Sequence, residues 1–177
     1  LGDVYKRQDT RKSGDMLEAA LTAGLCSMGA KVIPLGVVPT PAVAYLTRYY
    51  KADAGVVISA SHNPCEYNGI KFFNSDGYKL SDGIENEIES YILGEKAIEE
   101  LPTHGKVGYV SANHNAVEDY VAFAVSTIDC RLDGMKIAVD CANGASYETA
   151  FKALNKLGAN VEAIHNTPDG VNINHMC

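Results

Sequence analysis

Apolar residues along this chain recur with two different periods, and the two alternate. Met16, Leu17, Ala20, Leu21, Leu25 and Met28 fall three or four positions apart, the spacing of one helix face. Ser13 or Gly14 suits the start of that helix and Gly29 its stop. Residues 31–36 read as a short strand in spite of Pro34, which cannot donate to a ladder. Thr40 and Pro41 open a second helix running to about Tyr50, with proline at the first helical position. Residues 55–59 form an apolar, β-branched run without alternation. That pattern suits a strand covered on both faces of a parallel sheet.

A polar loop, residues 61–69, comes next. Residues 69–73 and 78–80 flank Asn74-Ser-Asp-Gly77 and predict a hairpin. Ser81 and Asp82 can cap a helix carrying Ile84, Ile88, Tyr91 and Ile92. Residues 95–113 show no period and contain Pro102, Gly105 and Gly108, so an irregular connection is expected, with a short strand at 106–110. Val117, Tyr120, Val121, Ala124, Val125 and Ile128 mark a further helix. A strand at 136–140, a tight turn at 141–145, a helix carrying Tyr147, Ala150, Phe151, Leu154 and Leu157, and a strand at 160–164 complete the pattern. Alternating strands and helices predict an α/β fold: a mixed, mostly parallel sheet with helices on both faces.

Length and composition narrow this picture. At 177 residues the chain is about one domain or a little more. Its net charge of −7, from 15 Lys+Arg and 22 Asp+Glu, argues against a nucleic-acid partner, since phosphate neutralisation needs a basic face. No apolar run approaches the roughly 20 residues of a membrane helix, so no membrane partner is expected. The five cysteines, Cys26, Cys65, Cys130, Cys141 and Cys177, include no CxxC pair, and reduced thiols in the cytoplasm are the simplest reading.

The chemistry concentrates after the buried run. Ligands of open α/β sheets sit at the carboxyl ends of the strands, where Ser61 would stand. His62 follows it, Pro64 stiffens the loop, and Asn68-Gly69 permits a sharp turn before Lys71. A serine hydroxyl, an imidazole and an ammonium are sufficient in kind to accept, hold and pass on a phosphoryl group. The same residues could equally form only a polar turn. A serine hydrolase is disfavoured, because there is no GxSxG elbow and no acidic partner can be assigned. His104, His114, His165 and His175 lack metal spacing. Asp140 and Asn143 suit capping at a strand end, and Glu85, Glu87 and Glu89 suit a solvated helix side.

Residues 58–64 read Ile-Ser-Ala-Ser-His-Asn-Pro and residues 68–73 Asn-Gly-Ile-Lys-Phe-Phe. Together they resemble the phosphoserine loop of the α-D-phosphohexomutases. Asp-Thr-Arg-Lys-Ser-Gly at 9–14 resembles an early stretch of that family. Residues 34–46, 140–145 and 168–174 resemble its bacterial phosphoglucosamine mutase branch. The resemblance implies that Ser61 carries the transferred phosphoryl group and, through its phosphate, is one ligand of Mg²⁺. His62 and Lys71 would transfer protons or offset charge, and Arg11 would be a further cation nearby. The implied substrate is a hexosamine phosphate, interconverted between its 6- and 1-phosphates with a sugar 1,6-bisphosphate as activator. A homodimer is compatible with the full-length protein.

The departures are informative. Leu1 to Gln8 match nothing in the family and do not read as the apolar strand expected there, so residues 1–8 read as foreign sequence. Residues 9–113 read as the family's first domain and 114–177 as the start of its second. The family's metal loop, sugar-recognition loop and distal phosphate loop are not among these 177 residues. A fragment with little activity of its own is therefore expected. Phosphomannomutase or phosphoglucomutase activity, or a role only in binding or assembly, are the alternatives.

Overall fold

The first strand is one that the apolar pattern does not announce. In the computed structural model, which describes residues 2–98, 100–112 and 115–177 and of Tyr5, Arg7 and Gln8 the backbone only, β1 spans Asp3–Gln8. It pairs in parallel with β2 (Lys31–Val37) on one side and with β3 (Ala54–Ile58) on the other. The expectation of no strand in residues 1–8 is thus corrected. Backbone ladders on both sides satisfy β1 whatever its side chains. Lys6, buried in the sheet face that α1 covers, is neutralised by Glu18 of α1 (Ser13–Ser27) at 3.0 Å. A buried charge with a partner is tolerated in a strand interior where an isolated one would not be.

The sheet order is β2-β1-β3-β4, with β4 (Ile70–Asn74) antiparallel to β3. Pro34 is accommodated because β2 lies at the edge. Register assigns the faces. Val4, Val56 and Phe72 face α1 and pack with Leu21 and Leu25. Ile33, Leu35 and Val57 face α2 (Thr40–Tyr49) and form a core with Val43 and Leu46. Helices therefore cover both faces, as expected, and β3 is apolar throughout because neither face meets water.

Some expectations hold only in part. On α1 the covered stripe runs through Gly14, Leu17, Leu21 and Leu25, whereas Met16 and Ala20 are exposed. The hairpin after β4 is reduced to a single bridge between Phe73 and Lys79. The strand expected at 106–110 is likewise one bridge, Val32 to Val110, against β2. Helix α3 (Asp82–Ile92) buries no residue, and Ser81 precedes it without a side-chain cap.

Helix α4 (Ala116–Ser126) joins the two parts: Ala116 enters the α2 core, and Val117 and Tyr120 pack against it. Tyr50 donates a hydrogen bond to Asp119 of α4, and the Tyr45 and Phe123 rings stack. Beyond α4, β5 (Lys136–Asp140) pairs in parallel with β6 (Asn160–Ile164) through α5 (Tyr147–Lys156). Among the described residues no helix is long and apolar enough to cross a membrane. His114 lies outside the described residues.

Candidate active site

Two loops leave the carboxyl edge of the sheet side by side, after β1 and after β3. They are tied at once by the backbone, where the Asp9 N–H donates to the Ile58 carbonyl at 3.1 Å. Beyond β3 the chain turns sharply. The Ser59 N–H donates to the Gly69 carbonyl at 2.8 Å, which closes the base of the loop. Within the loop Asn63 N–H reaches Ala60 O and Tyr67 N–H reaches Pro64 O.

Ser61 stands at the tip with φ of 59°, in the left-handed region that non-glycine residues rarely adopt. Its N–H donates to Ser59 Oγ at 3.1 Å. Its own Oγ is 3.4 Å from His62 Nδ1, and both side chains are exposed. The tip is therefore a presented hydroxyl beside an imidazole, held by a strained backbone.

Arg11 lies beneath. Its side chain is 0% exposed. One terminal nitrogen donates to the Asp9 carboxylate, and the other donates to the carbonyls of Ser61, at 3.1 Å, and Asn63. The Asp9 carboxylate also accepts the Arg11 backbone N–H. The buried Nε has no hydrogen-bond partner among the described residues. On the outer side, Asn174 Nδ2 donates to the His62 carbonyl at 3.1 Å. Asn68, whose Oδ1 accepts the Gly69 N–H, donates to Ser13 Oγ at the start of α1.

Ser61 and His62 open onto a cleft of about 340 Å³ lined also by Thr40, Cys141, Ser146 and Asn174. Thr40 and Ser146 mark the N-terminal ends of α2 and α5, whose dipoles favour an anion. The far wall is the loop after β5, in which Ala142 and Asn143 have φ of 49° and 50°. The N–H of Ala142, then His165, hold the Asp140 carboxyl below its usual range. Burial, then Asp140, push the Cys141 thiol up, which makes it less reactive. Asn143 is buried and structural: its carbonyl accepts Thr10 Oγ1, and its side chain holds Thr167 and Asn172.

Of the residues singled out in the sequence, the structure brings Ser61, His62 and Arg11 together. Lys71 stands on β4 opposite Val57 and lines another cavity, of about 400 Å³, with Phe73, Lys79 and Glu85. Asp9, Ser59 and Asn174 were not singled out. All three lie in stretches that resemble the family, but no role was read for them there, and nothing local connects Asn174 to His62, 112 residues away.

The model of phosphoglucomutase/phosphomannomutase, alpha/beta/alpha domain I, matches residues 7–99. The chain belongs to the phosphoglucomutase/phosphomannomutase family. The match begins at Arg7, inside the stretch that the sequence suggested was foreign to the family. Within this family the chain is 62% identical to the phosphoglucosamine mutase of Clostridium acetobutylicum over 169 residues, 96% of this chain. It is equally similar, 62% over 169 residues, to the phosphoglucosamine mutase of Acetivibrio thermocellus. It spans 38% of the length of each. A phosphoglucomutase/phosphomannomutase family protein from Burkholderia thailandensis has the same fold. The TM-score is 0.78 at 27% identity, covering 98% of this chain and 38% of that one.

The Mg²⁺ implied by the family resemblance would find one donor here, the oxygen of a phosphorylated Ser61. Among the described residues no group of three or more His, Cys, Asp or Glu is placed to hold a metal ion. The Asp9 carboxylate is engaged by Arg11. These residues alone do not fit a Mg²⁺ site.

Proposed function

We propose that this chain supplies the phosphoserine centre of a phosphoglucosamine mutase, with Ser61 as acceptor and donor of the phosphoryl group. The single observation that carries this reading is the Ser61 hydroxyl presented at a left-handed tip into a cleft between two helix N-termini. The 62% identity to phosphoglucosamine mutases supports glucosamine phosphate as the substrate. In the reaction the P–Oγ bond of phosphoserine breaks as a sugar hydroxyl oxygen bonds to phosphorus. The hydroxyl proton passes to a base and the serine oxygen is reprotonated. The sugar bisphosphate then turns, and its other phosphoryl group returns to Ser61.

His62, with Nδ1 3.4 Å from Oγ, is the candidate for these proton transfers; Lys71, which lines a separate cavity, is a candidate for offsetting phosphate charge only through its match to the family motif. Mg²⁺, held mainly by groups outside this chain, and a sugar 1,6-bisphosphate as activator belong to the same proposal. So do a cytoplasmic location and a homodimer of the longer protein. Phosphomannomutase or phosphoglucomutase activity is the second reading, favoured by the name of the matching domain model.

The test is to incubate the purified chain with Mg²⁺ and glucosamine 1,6-bisphosphate, then map phosphate by mass spectrometry. Phosphate should appear on Ser61 and not on buried Ser59, and Ser61→Ala should abolish it. Phosphate elsewhere, or persisting in Ser61→Ala, would remove Ser61 from the mechanism. Faster labelling by mannose or glucose 1,6-bisphosphate would favour the second reading.

A further inference from the structure

A cation that serves a phosphoryl group must face it. Arg11 does not face the cleft in that way: its side chain has no solvent exposure, and both terminal nitrogens are occupied by protein oxygens. Resting on the reading of Ser61 as acceptor, we propose that Arg11 is a positioning residue. Its guanidinium is a buried fork that fixes the serine loop's backbone and keeps Ser61 left-handed.

Three successive carbonyls of the loop are held by side chains from elsewhere. Arg11 takes those of Ser61 and Asn63, and Asn174 takes that of His62 between them. The amide of Ser61 is held as well, by Ser59 Oγ. Peptide planes pinned on both sides of Ser61 leave its φ little freedom, which is how a residue persists at 59° without being glycine.

Asp9 makes the fork rigid. Its backbone is fixed to Ile58 at the end of β3, and its carboxylate accepts from both the backbone and the side chain of Arg11. The loop after β1 thus aims the loop after β3 through one planar group. Lysine carries the same charge but offers a single nitrogen on a flexible stem, and it cannot span a carboxylate and two carbonyls at once. Charge alone and geometry alone therefore predict different behaviour for Arg11→Lys.

The experiment compares the unmutated chain with Arg11→Lys, Arg11→Met and Arg11→Ala by two readouts. The first is the NMR HN–Hα coupling and amide exchange of residues 61–63. The second is the rate of Ser61 phosphorylation by glucosamine 1,6-bisphosphate with Mg²⁺, followed by intact mass over a range of donor concentrations. Arg11→Lys and Arg11→Met should both move Ser61 out of the left-handed region. Both should speed exchange at residues 61–63 by roughly tenfold and slow maximal phosphorylation by a similar factor. The half-saturating donor concentration should stay unchanged, because binding contacts are not removed. Guanidinium ion added to Arg11→Ala should restore part of the rate, and ammonium should not.

Retention of loop geometry and rate by Arg11→Lys overturns the proposal, since charge would then suffice. Should the Arg11 variants fail to fold, the unmutated chain decides. Guanidinium protons of Arg11 in slow exchange, with couplings across to the carbonyl carbons of Ser61 and Asn63, support the fork; freely exchanging protons overturn it. Absence of phosphate on Ser61 in the unmutated chain sinks the acceptor reading alone, and the backbone readout still decides the role of Arg11.

Discussion

Val56, Val57 and Ile58 of β3 are fully buried, whereas no residue of β5 or β6 is. β1 with β3, and β5 with β6, pair in parallel, and residues that follow all four strands line the same cleft. The difference lies in cover. β3 has strands on both sides and helices on both faces. β5 and β6 have one partner each and alternate half-buried with exposed positions, Ile164 being 46% exposed. A residue held at an unfavourable φ needs surroundings that over-determine it: Ser61 has them at the end of a covered strand, whereas Ala142 and Asn143, at φ of 49° and 50° after β5, rely on hydrogen bonds within and around their own turn. The partly covered unit contributes braces, Asn174 and the loop after β5.

The largest test of this contrast is a cavity. Leu46→Ala, at a fully buried position in the α2 core, should cost about 2–5 kcal/mol in urea unfolding. Ile137→Ala in β5 should cost roughly 1 kcal/mol. Equal losses would mean that the two units share one cooperative core. Gly55→Ala comes next. A Cβ there would stand 2.3 Å from Thr47 Oγ1, which is buried and bonded to Val43 O. Helix α2 would have to shift from the sheet, at a cost of about 1–3 kcal/mol by thermal denaturation.

Asn174→Ala should be smaller and local. Loss of the hydrogen bond to His62 O removes about 1 kcal/mol and should appear as faster amide exchange at residues 61–63 with little change in melting. Unaltered exchange would show that the second unit does not brace the serine loop.

The smallest effect concerns acid. The Asp140 carboxyl is depressed by the Ala142 N–H and then by His165. Its folded-state pKa lies below its unfolded one, so its stabilisation is complete above the usual carboxylate value, about 4. It is lost as pH falls through the folded value. Amide exchange at Ala142 should therefore rise only in that acid range, and Asp140→Asn should flatten the rise.

Most elements were legible because their burial is written locally. The unbroken apolar run gave β3, and the three-and-four spacing gave α4 and α5. Strand β1 was not, since Asp3, Lys6 and Gln8 carry no strand pattern and only neighbours on both sides make that strand central. Met16 and Ala20 fit a helical period yet face outward, because period fixes a stripe's width but not which neighbours cover it. In the site, Ser61 and His62 were legible from motif and position. The hydrogen bonds of Arg11 were not, because a sequence records a cation and not what its nitrogens touch.

By itself, then, the order of residues determined an α/β layering, a polar loop after a buried strand and a serine at its tip. These follow from short-range spacing, in which each residue's periodicity states its environment. Tertiary structure alone decided that Arg11 turns inward to three carbonyl or carboxylate groups, that Asn174 reaches His62 across 112 residues, and that α2 and α5 converge on one cleft. Those contacts join segments far apart in the chain. Their geometry depends on how sheets and helices pack, which no local pattern encodes.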